Sequence, residues 1–131
     1  MNRETLGTPK GGPGRIDGMV NGVRAGNLIF FSAIRGRNPE TNKSPDGVRA
    51  QAAQAFENLK TLMESRGLTL RHIVKVTLYL QDLADRDPFH EVWMQYFPED
   101  PPARTAMQVA DANASPGGNS RFVLDVVALA E

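Results

Sequence analysis

The sequence predicts an α+β domain in which a mixed β-sheet carries two helices on one of its faces. Three observations support this class. Five short stretches either alternate apolar and polar residues or are apolar throughout, which is typical of β-strands. Two longer stretches carry apolar residues at helical spacing. The chain order is β-β-α-β-α-β-β, and the right-handed crossover rule places the helices of both strand-helix-strand units on the same face.

Length and composition limit what the protein can be. With 131 residues and 40% hydrophobic content, the chain matches one domain of common size. Residues 1–17, rich in Gly, Pro and charge, are predicted to form a flexible N-terminal arm, and residues 18–131 a single domain. The absence of cysteine excludes disulfides and thiolate chemistry. Fifteen basic residues balance fifteen acidic ones, which argues against nucleic-acid binding.

No apolar run approaches the roughly 18 residues of a membrane span. The N-terminus also lacks the apolar segment of a secretory leader. The expectation is a cytoplasmic protein that does not associate with membranes.

The first half of the chain predicts a hairpin followed by a helix. Two strands, at 19–24 and 27–33, flank a tight turn at Ala25-Gly26. The second strand is apolar on both sides, so we expect both of its faces to be covered. Asp46 is placed to cap a helix whose apolar stripe continues until Gly67 supplies the stop signal.

The second half repeats the strand-helix-strand pattern. A strand at 73–81 precedes a helix opened by Asp87-Pro88 and ended by Pro98. Another strand follows the proline pair at 101–102, and a last one spans 121–130. Several strands also carry apolar residues on the face that the helices leave uncovered. Such a face is usually buried by self-association, which predicts an oligomer with a site near the subunit boundary.

Arg104 is the first candidate for a functional residue. Pro101-Pro102 fixes an extended backbone directly before it, and no acidic residue is its neighbour in sequence. A guanidinium placed in this way at the start of a strand can donate to an external anion. It can also pair across the sheet or remain solvated, and the spacing alone leaves these alternatives open.

Asp125 is the only charged residue inside the otherwise apolar last strand. A buried carboxylate without a partner would cost several kcal/mol. Asp125 therefore needs an ion pair, possibly with Arg104, or an opening to water, or a task such as holding a water molecule. His72 and His90 form no metal-binding set, so both are expected at ordinary surface or satisfied positions. No pattern indicates a nucleophile, a metal or a cofactor.

Four segments together carry a resemblance to a known family: 25–32, 55–60, 73–77 and 101–106. The first is similar to the family strand AGNLLFVSG, and the last to its signature PPARSAV. On these motifs, across about 21–130, the chain resembles the YjgF/Rid family of reactive-intermediate (enamine/imine) deaminases. Members are also labelled endoribonuclease L-PSP or translation inhibitor.

The resemblance implies a chorismate-mutase-like fold and a homotrimer with clefts between its subunits. It also implies hydrolysis of 2-imino acids to 2-keto acids and ammonia without a cofactor or a metal. Arg104 falls on the family arginine that holds the substrate carboxylate, and Asp125 on the glutamate that positions water. The resemblance implies four further substrate-binding residues: Met19, Ser32, Ala33 and Ala106.

The chain departs from the family pattern around this site. Met19 replaces the family tyrosine and Ile34 a glutamine, which predicts a more apolar pocket, and the loop at 111–119 is longer than usual. Because Asp125 is one methylene shorter than glutamate, the alternative is a trimeric protein that binds small keto acids or related carboxylates without turnover. Ribonuclease or translation-inhibitor activity is the weakest alternative, because the chain is neutral and lacks an aromatic stacking platform.

Overall fold

The computed structural model describes all residues, 1–131, and contains six strands and two α-helices. The strands are β1 (Arg3–Leu6), β2 (Gly22–Ala25), β3 (Leu28–Phe31), β4 (Ile73–Leu80), β5 (Ala103–Gln108) and β6 (Phe122–Leu129). The helices are α1 (Val48–Glu64) and α2 (Arg86–Tyr96), and short 3-10 turns lie at Leu70–His72 and Leu83–Asp85. A single mixed sheet with two helices confirms the predicted α+β class.

The strand order in the sheet is β1-β2-β3-β6-β4-β5, so β1 and β5 are the two edges. Only β4 and β5 run parallel, because α2 makes the crossover between them. Val76 of β4 lies opposite Arg104 of β5, and Thr77 lies opposite Asp125 of β6. Residues directly opposite each other in a sheet share a face, and successive residues alternate between faces. These two pairs therefore lie on opposite faces.

The core lies between the sheet and the helices. Alternate residues of β4 and β6 are fully buried there, including Val76, Leu78 and Leu124. At its centre, the ring of Phe56 from α1 lies 5.0–6.1 Å from four other aromatic rings, those of Phe89, Trp93, Tyr96 and Phe97. Aromatic pairs contribute about 0.5–1.5 kcal/mol each beyond their buried area. This cluster fixes α2 against α1 and the sheet.

Both helices cover the same face of the sheet, as predicted, and leave the other face bare. Phe30, Met107 and Leu129 are exposed there by 47%, 42% and 40%. The expectation that both faces of the strand at 27–33 are covered is wrong within one chain, because no element packs over Phe30. No helix in the structure has both the length and the apolar character needed to span a membrane.

The N-terminal segment differs from its prediction as an arm. Within 1–17, Arg3–Leu6 form the edge strand β1 against β2, and Leu6 is buried in the core. The side-chain amide of Asn21 then holds the following loop by donating to the carbonyl oxygen of Gly7. The observed order is thus β-β-β-α-β-α-β-β. A strand of four residues, with three polar ones in a row, gives too little alternation to be predicted.

The first helix starts one residue later than the predicted cap would place it. Asp46 makes no capping hydrogen bond, and Gly47 is the N-cap residue with φ of 87°. Glycine adopts this left-handed backbone without steric cost. The predicted stop is confirmed, because Gly67 has φ of 74° just beyond the end of α1.

Gly36 brings the loop after β3 into close contact with α1. A Cβ atom at this position would overlap the backbone carbonyl of Gln51. On the same helix, the buried Asn58 donates to the carbonyl oxygens of Arg35 and Arg37 at 3.3 and 2.8 Å. The loop is therefore fixed on the helix by a close backbone approach and two hydrogen bonds.

We predict that Gly36→Ala lowers the free energy of unfolding by about 2 kcal/mol or more, because overpacking forces the loop away from α1. Gly14→Ala is the matched control: its Cβ would meet no atom within 4 Å, so its effect should be neutral or slightly stabilising. Urea denaturation of both variants measures the difference. Equal stability of the two variants would refute the close approach.

Candidate functional site

Arg104 is the second residue of β5, the edge strand next to α2. Since it lies opposite Val76, its side chain is on the helix-covered face. Its guanidinium carbon is 4.7 Å from the centroid of the Trp93 ring, a cation–π contact, and Nη1 is 3.0 Å from Nδ1 of His90. Arg104 is half-buried and forms no ion pair with any carboxylate of the chain. Its charge is thus available to an external anion.

The contact with His90 fixes both side chains. A guanidinium can only donate, so Nδ1 of His90 accepts and the ring proton lies on Nε2. Burial lowers the pKa of Arg104, and the nearby charge of Arg86 lowers it further. Both effects act against an isolated cation, so a bound anion would be favoured here. The position of His90 was predicted to be ordinary; the one available signal was its spacing of three residues from Trp93 on α2.

Asp125 lies on the uncovered face of the sheet, opposite Thr77. Its side chain is exposed and has no hydrogen-bond or ion-pair partner in the chain. The predicted alternative of an ion pair with Arg104 is therefore wrong. The two residues are on opposite faces and on strands that β4 separates. Of the three possibilities that the sequence left for this carboxylate, the structure shows the opening to water.

A break in strand pairing lies beside Asp125. The flanking pairs are Phe30–Val127 and Ile34–Leu124. From 30 to 34 the chain advances four residues while β6 advances three, from 127 to 124, so one extra residue forms a bulge at Ser32-Ala33. Bulges bend a strand, leave backbone groups unpaired and occur often beside functional sites.

The bulge leaves one backbone donor unused. The N–H of Ser32 donates to the carbonyl oxygen of Asn21 at 3.0 Å, whereas the N–H of Ala33 has no acceptor in the chain. Ala33 and Asp125 flank the bridged pair Ile34–Leu124. A backbone donor and a carboxylate thus lie on neighbouring chain segments beside this bridge.

The predicted site residues form two groups in the chain. Ala106 shares the helix-covered face with Arg104, two residues further along β5, and is half-buried. Ser32 and Ala33 lie with Asp125, and exposed Met19 is in the loop leading to Asn21. The single chain does not bring the two groups together.

Ile34 does not line a pocket. It is buried in the core opposite Leu124. The predicted apolar pocket made by Met19 and Ile34 is therefore corrected: only Met19 has accessible surface. The alternation that points Ile34 inwards is shifted by the bulge, which sequence periodicity could not reveal.

Residues of the loop at 111–119 line one side of an open polar pocket of about 370 Å³. Its lining includes Gln51, Asp111 and Arg121 but no hydrophobic side chain, and neither Arg104 nor Asp125. No group of three or more His, Asp or Glu side chains converges anywhere in the structure in an arrangement suited to a metal ion. The arrangement at Arg104 can bind a carboxylate, and that at Asp125 can hold a water molecule.

Together these features define a small α+β protein with a half-buried, unpaired arginine at one sheet edge and an exposed carboxylate on the bare face. The family model for endoribonuclease L-PSP matches residues 12–119. The 2-iminobutanoate/2-iminopropanoate deaminase of Escherichia coli K12 is 37% identical over 101 residues, covering 75% of this chain and 79% of the relative.

Two crystal structures share the fold. RidA from the Antarctic bacterium Psychrobacter sp. PAMC 21119 superimposes with a TM-score of 0.85 at 32% identity, covering 96% of this chain and 98% of the other. TdcF of E. coli with bound serine gives a TM-score of 0.85 at 29% identity and the same coverage. The chain belongs to the YjgF/Rid family, as its motifs predicted.

The single tryptophan provides a direct test of the anion anchor. Because the Arg104 guanidinium lies over the Trp93 ring, binding of a small 2-keto acid such as 2-oxobutanoate should change Trp93 fluorescence saturably. Arg104→Leu should abolish the change. Arg71→Leu, which removes an exposed arginine paired with Asp100, is the control and should keep it. An unchanged titration in Arg104→Leu would contradict the assignment.

Proposed function

We propose that the protein hydrolyses 2-imino or enamine acids to 2-keto acids and ammonia, at sites shared between the subunits of a homotrimer. The single observation that carries the proposal is the half-buried Arg104, which two side chains hold in place and no carboxylate neutralises. The family and the name of the E. coli relative support the reaction class.

Arg104 would bind the substrate carboxylate through paired N–H donors. Charge-assisted hydrogen bonds of this kind contribute roughly 1.5–3 kcal/mol. His90 and Trp93 restrict the guanidinium before substrate arrives, so less side-chain entropy is lost on binding. Burial also excludes water that would compete for the same donors. A bound carboxylate would supply the negative charge that the chain itself does not.

Asp125 can act on the same substrate only if it comes from a second copy, since the two residues face opposite sides of the sheet. The bare face that carries Asp125 also exposes Phe30, Met107 and Leu129. Burial of this apolar surface would drive association, and a closed ring would repeat the same contact at each boundary. In the proposed homotrimer, each cleft receives Arg104 from one subunit and Asp125 with the Ser32-Ala33 bulge from its neighbour.

The proposed reaction needs only orientation and proton transfer. The substrate reacts as its iminium ion, and the Asp125 carboxylate accepts a proton from water as the water oxygen attacks the iminium carbon, giving a neutral tetrahedral carbinolamine. That proton then moves from Asp125 to the nitrogen. As the C–N bond breaks and ammonia leaves, Asp125 takes the hydroxyl proton and the 2-keto acid forms. The unpaired N–H of Ala33 would donate a hydrogen bond to the substrate and so help to orient it. No cofactor or metal is proposed, because imines already hydrolyse in water.

The second candidate is a trimer that binds small keto acids or related carboxylates without turnover. The observation that favours it is that no hydrogen bond within the chain positions the Asp125 side chain. This side chain is also one methylene shorter than the glutamate of the family. A carboxylate placed too far from the imine carbon would leave Arg104 as a pure binding site. Turnover discriminates the candidates, because both predict binding.

The test generates 2-iminobutanoate with a dehydratase and follows 2-oxobutanoate release above the spontaneous rate. Arg104→Ala should lower kcat/KM by about 10- to 100-fold, the equivalent of the lost charged hydrogen bonds. Asp125→Asn should lower kcat by about 10²- to 10⁴-fold, since it removes the proton acceptor.

Two variants serve as controls. Arg86→Lys preserves charge beside the site, and Asp87→Asn removes an exposed carboxylate of α2; both should behave as wild type. Wild-type protein that binds 2-oxobutanoate but accelerates no imine would establish the binding protein instead. Normal turnover by Arg104→Ala would overturn the site itself.

A further inference from the structure

Three arginines on neighbouring loops form a cluster of unpaired positive charge: Arg15, Arg35 and Arg37, here called the arginine cluster. None of them has a carboxylate within ion-pair distance. Six of the eleven arginines do form ion pairs: Arg24, Arg49, Arg66, Arg71, Arg86 and Arg121. Of the five arginines without an acidic partner, Arg3 is exposed on β1 and Arg104 lies on β5, and the other three form the cluster.

Arg15 is held by a buried amide. Its Nε donates to Oδ1 of Asn21 at 2.7 Å. The Asn21 side chain is fully buried, and its Nδ2 donates to the carbonyl oxygens of Gly7 and Pro13 and to the hydroxyl of Thr8. These contacts settle which way the amide faces, so its oxygen must point towards Arg15. The guanidinium keeps its remaining N–H groups free.

Arg35 is held by hydrogen bonds to the loop at 111–119. Its Nε and Nη2 donate to the carbonyl oxygen of Ala112 at 3.1 and 3.0 Å. The N–H of Ala112 in turn donates to Oε1 of Gln81 at 2.7 Å. Asn58 binds the backbone of both Arg35 and Arg37, while the Arg37 guanidinium makes no hydrogen bond. Two of the three cations are thus fixed in position with donors to spare.

The three charges act on one another. Burial lowers the pKa of Arg15 most, and the charges of Arg35 and Arg37 lower it further. Burial and then Arg37 lower the pKa of Arg35, while the carboxylate of Asp111 acts in the opposite direction. Because no carboxylate forms an ion pair with any of the three arginines, positive charge remains in excess. The hydrogen bonds of Arg15 and Arg35 hold these two guanidinium groups in place despite the repulsion.

We propose that the arginine cluster is a binding site for a compact multivalent anion, either a phosphoryl group or a small di- or tricarboxylate. Arginine forks suit both because their paired N–H groups match phosphate and carboxylate oxygens. Within one chain the cluster is separate from Arg104, which lies on the helix-covered face of the edge strand β5. The inference therefore stands whether or not the protein hydrolyses imines.

The cluster also adjoins the bulge beside Asp125. The backbone carbonyl oxygen of Asn21, whose side chain binds Arg15, accepts a hydrogen bond from the N–H of Ser32. Arg35 directly follows Ile34, which is bridged to Leu124. An anion bound here would contact the loop at 12–17 and the loop at 35–37 at the same time. The expected consequence is a gain in stability that depends on both loops.

Thermal unfolding with pyrophosphate or citrate, at ionic strength held constant with NaCl, tests the site. At tenfold excess over Kd, each ligand that binds should raise Tm saturably by about 5 °C. Arg37→Gln should remove most of this shift, and the variant should fold normally because the side chain makes no hydrogen bond. Arg3→Gln removes an exposed, unpaired arginine from β1 and should respond as wild type.

A second readout separates binding from folding. Without an anion, Arg37→Gln should be at least as stable as wild type, because it relieves repulsion. A Tm shift with pyrophosphate alone would identify a phosphoryl site, and a shift with citrate alone would identify a polycarboxylate site. A shift with both would show that the site binds multivalent anions by their charge. No shift in wild type, or equal shifts in wild type, Arg37→Gln and Arg3→Gln, would overturn the proposal.

Discussion

Alternation of side chains across the three strands β6, β4 and β5 is the constraint on which the site depends. Val76 is locked into the core, so the residue opposite it on β5, Arg104, must lie on the helix-covered face. Thr77 and Asp125 must then lie on the bare face. Shifting the register by one residue would invert these positions but would also expose the core residues of every strand involved. The hydrophobic core thereby fixes the separation of the two charged groups.

Because of this separation, one chain alone cannot bring Arg104 and Asp125 to the same small molecule. Within one chain, the anchor and the carboxylate each lack part of what a hydrolytic site needs. The apolar side chains around Asp125 favour contact with another copy, and β5 offers its open edge next to Arg104. Self-association would both bury this surface and complete the site. The arginine cluster adds a second source of positive charge near the bulge, so the region combines one carboxylate with several unpaired cations.

Local patterns in the sequence were sufficient for most of the fold. Alternation and helical spacing predicted α1, α2 and five strands, whereas the proline pair left open whether Arg104 is paired within the chain. Features that depend on distant segments could not be predicted. His90 meets Arg104 only after α2 packs on β5, and the arginine cluster forms only when the loops at 12–17 and 35–37 converge. β1 was missed because its four residues carry almost no hydrophobic signal.

The central claim is that Arg104 and Asp125 of different subunits form one hydrolytic site, and subunit mixing tests it most directly. Arg104→Ala and Asp125→Asn proteins are unfolded and refolded together in equal amounts, then assayed for imine hydrolysis. A subunit boundary contains both native residues when an Asp125→Asn subunit contributes Arg104 and an Arg104→Ala subunit contributes Asp125. Random assembly in a ring then restores about one quarter of wild-type activity. A mixture no more active than either variant alone would contradict the account.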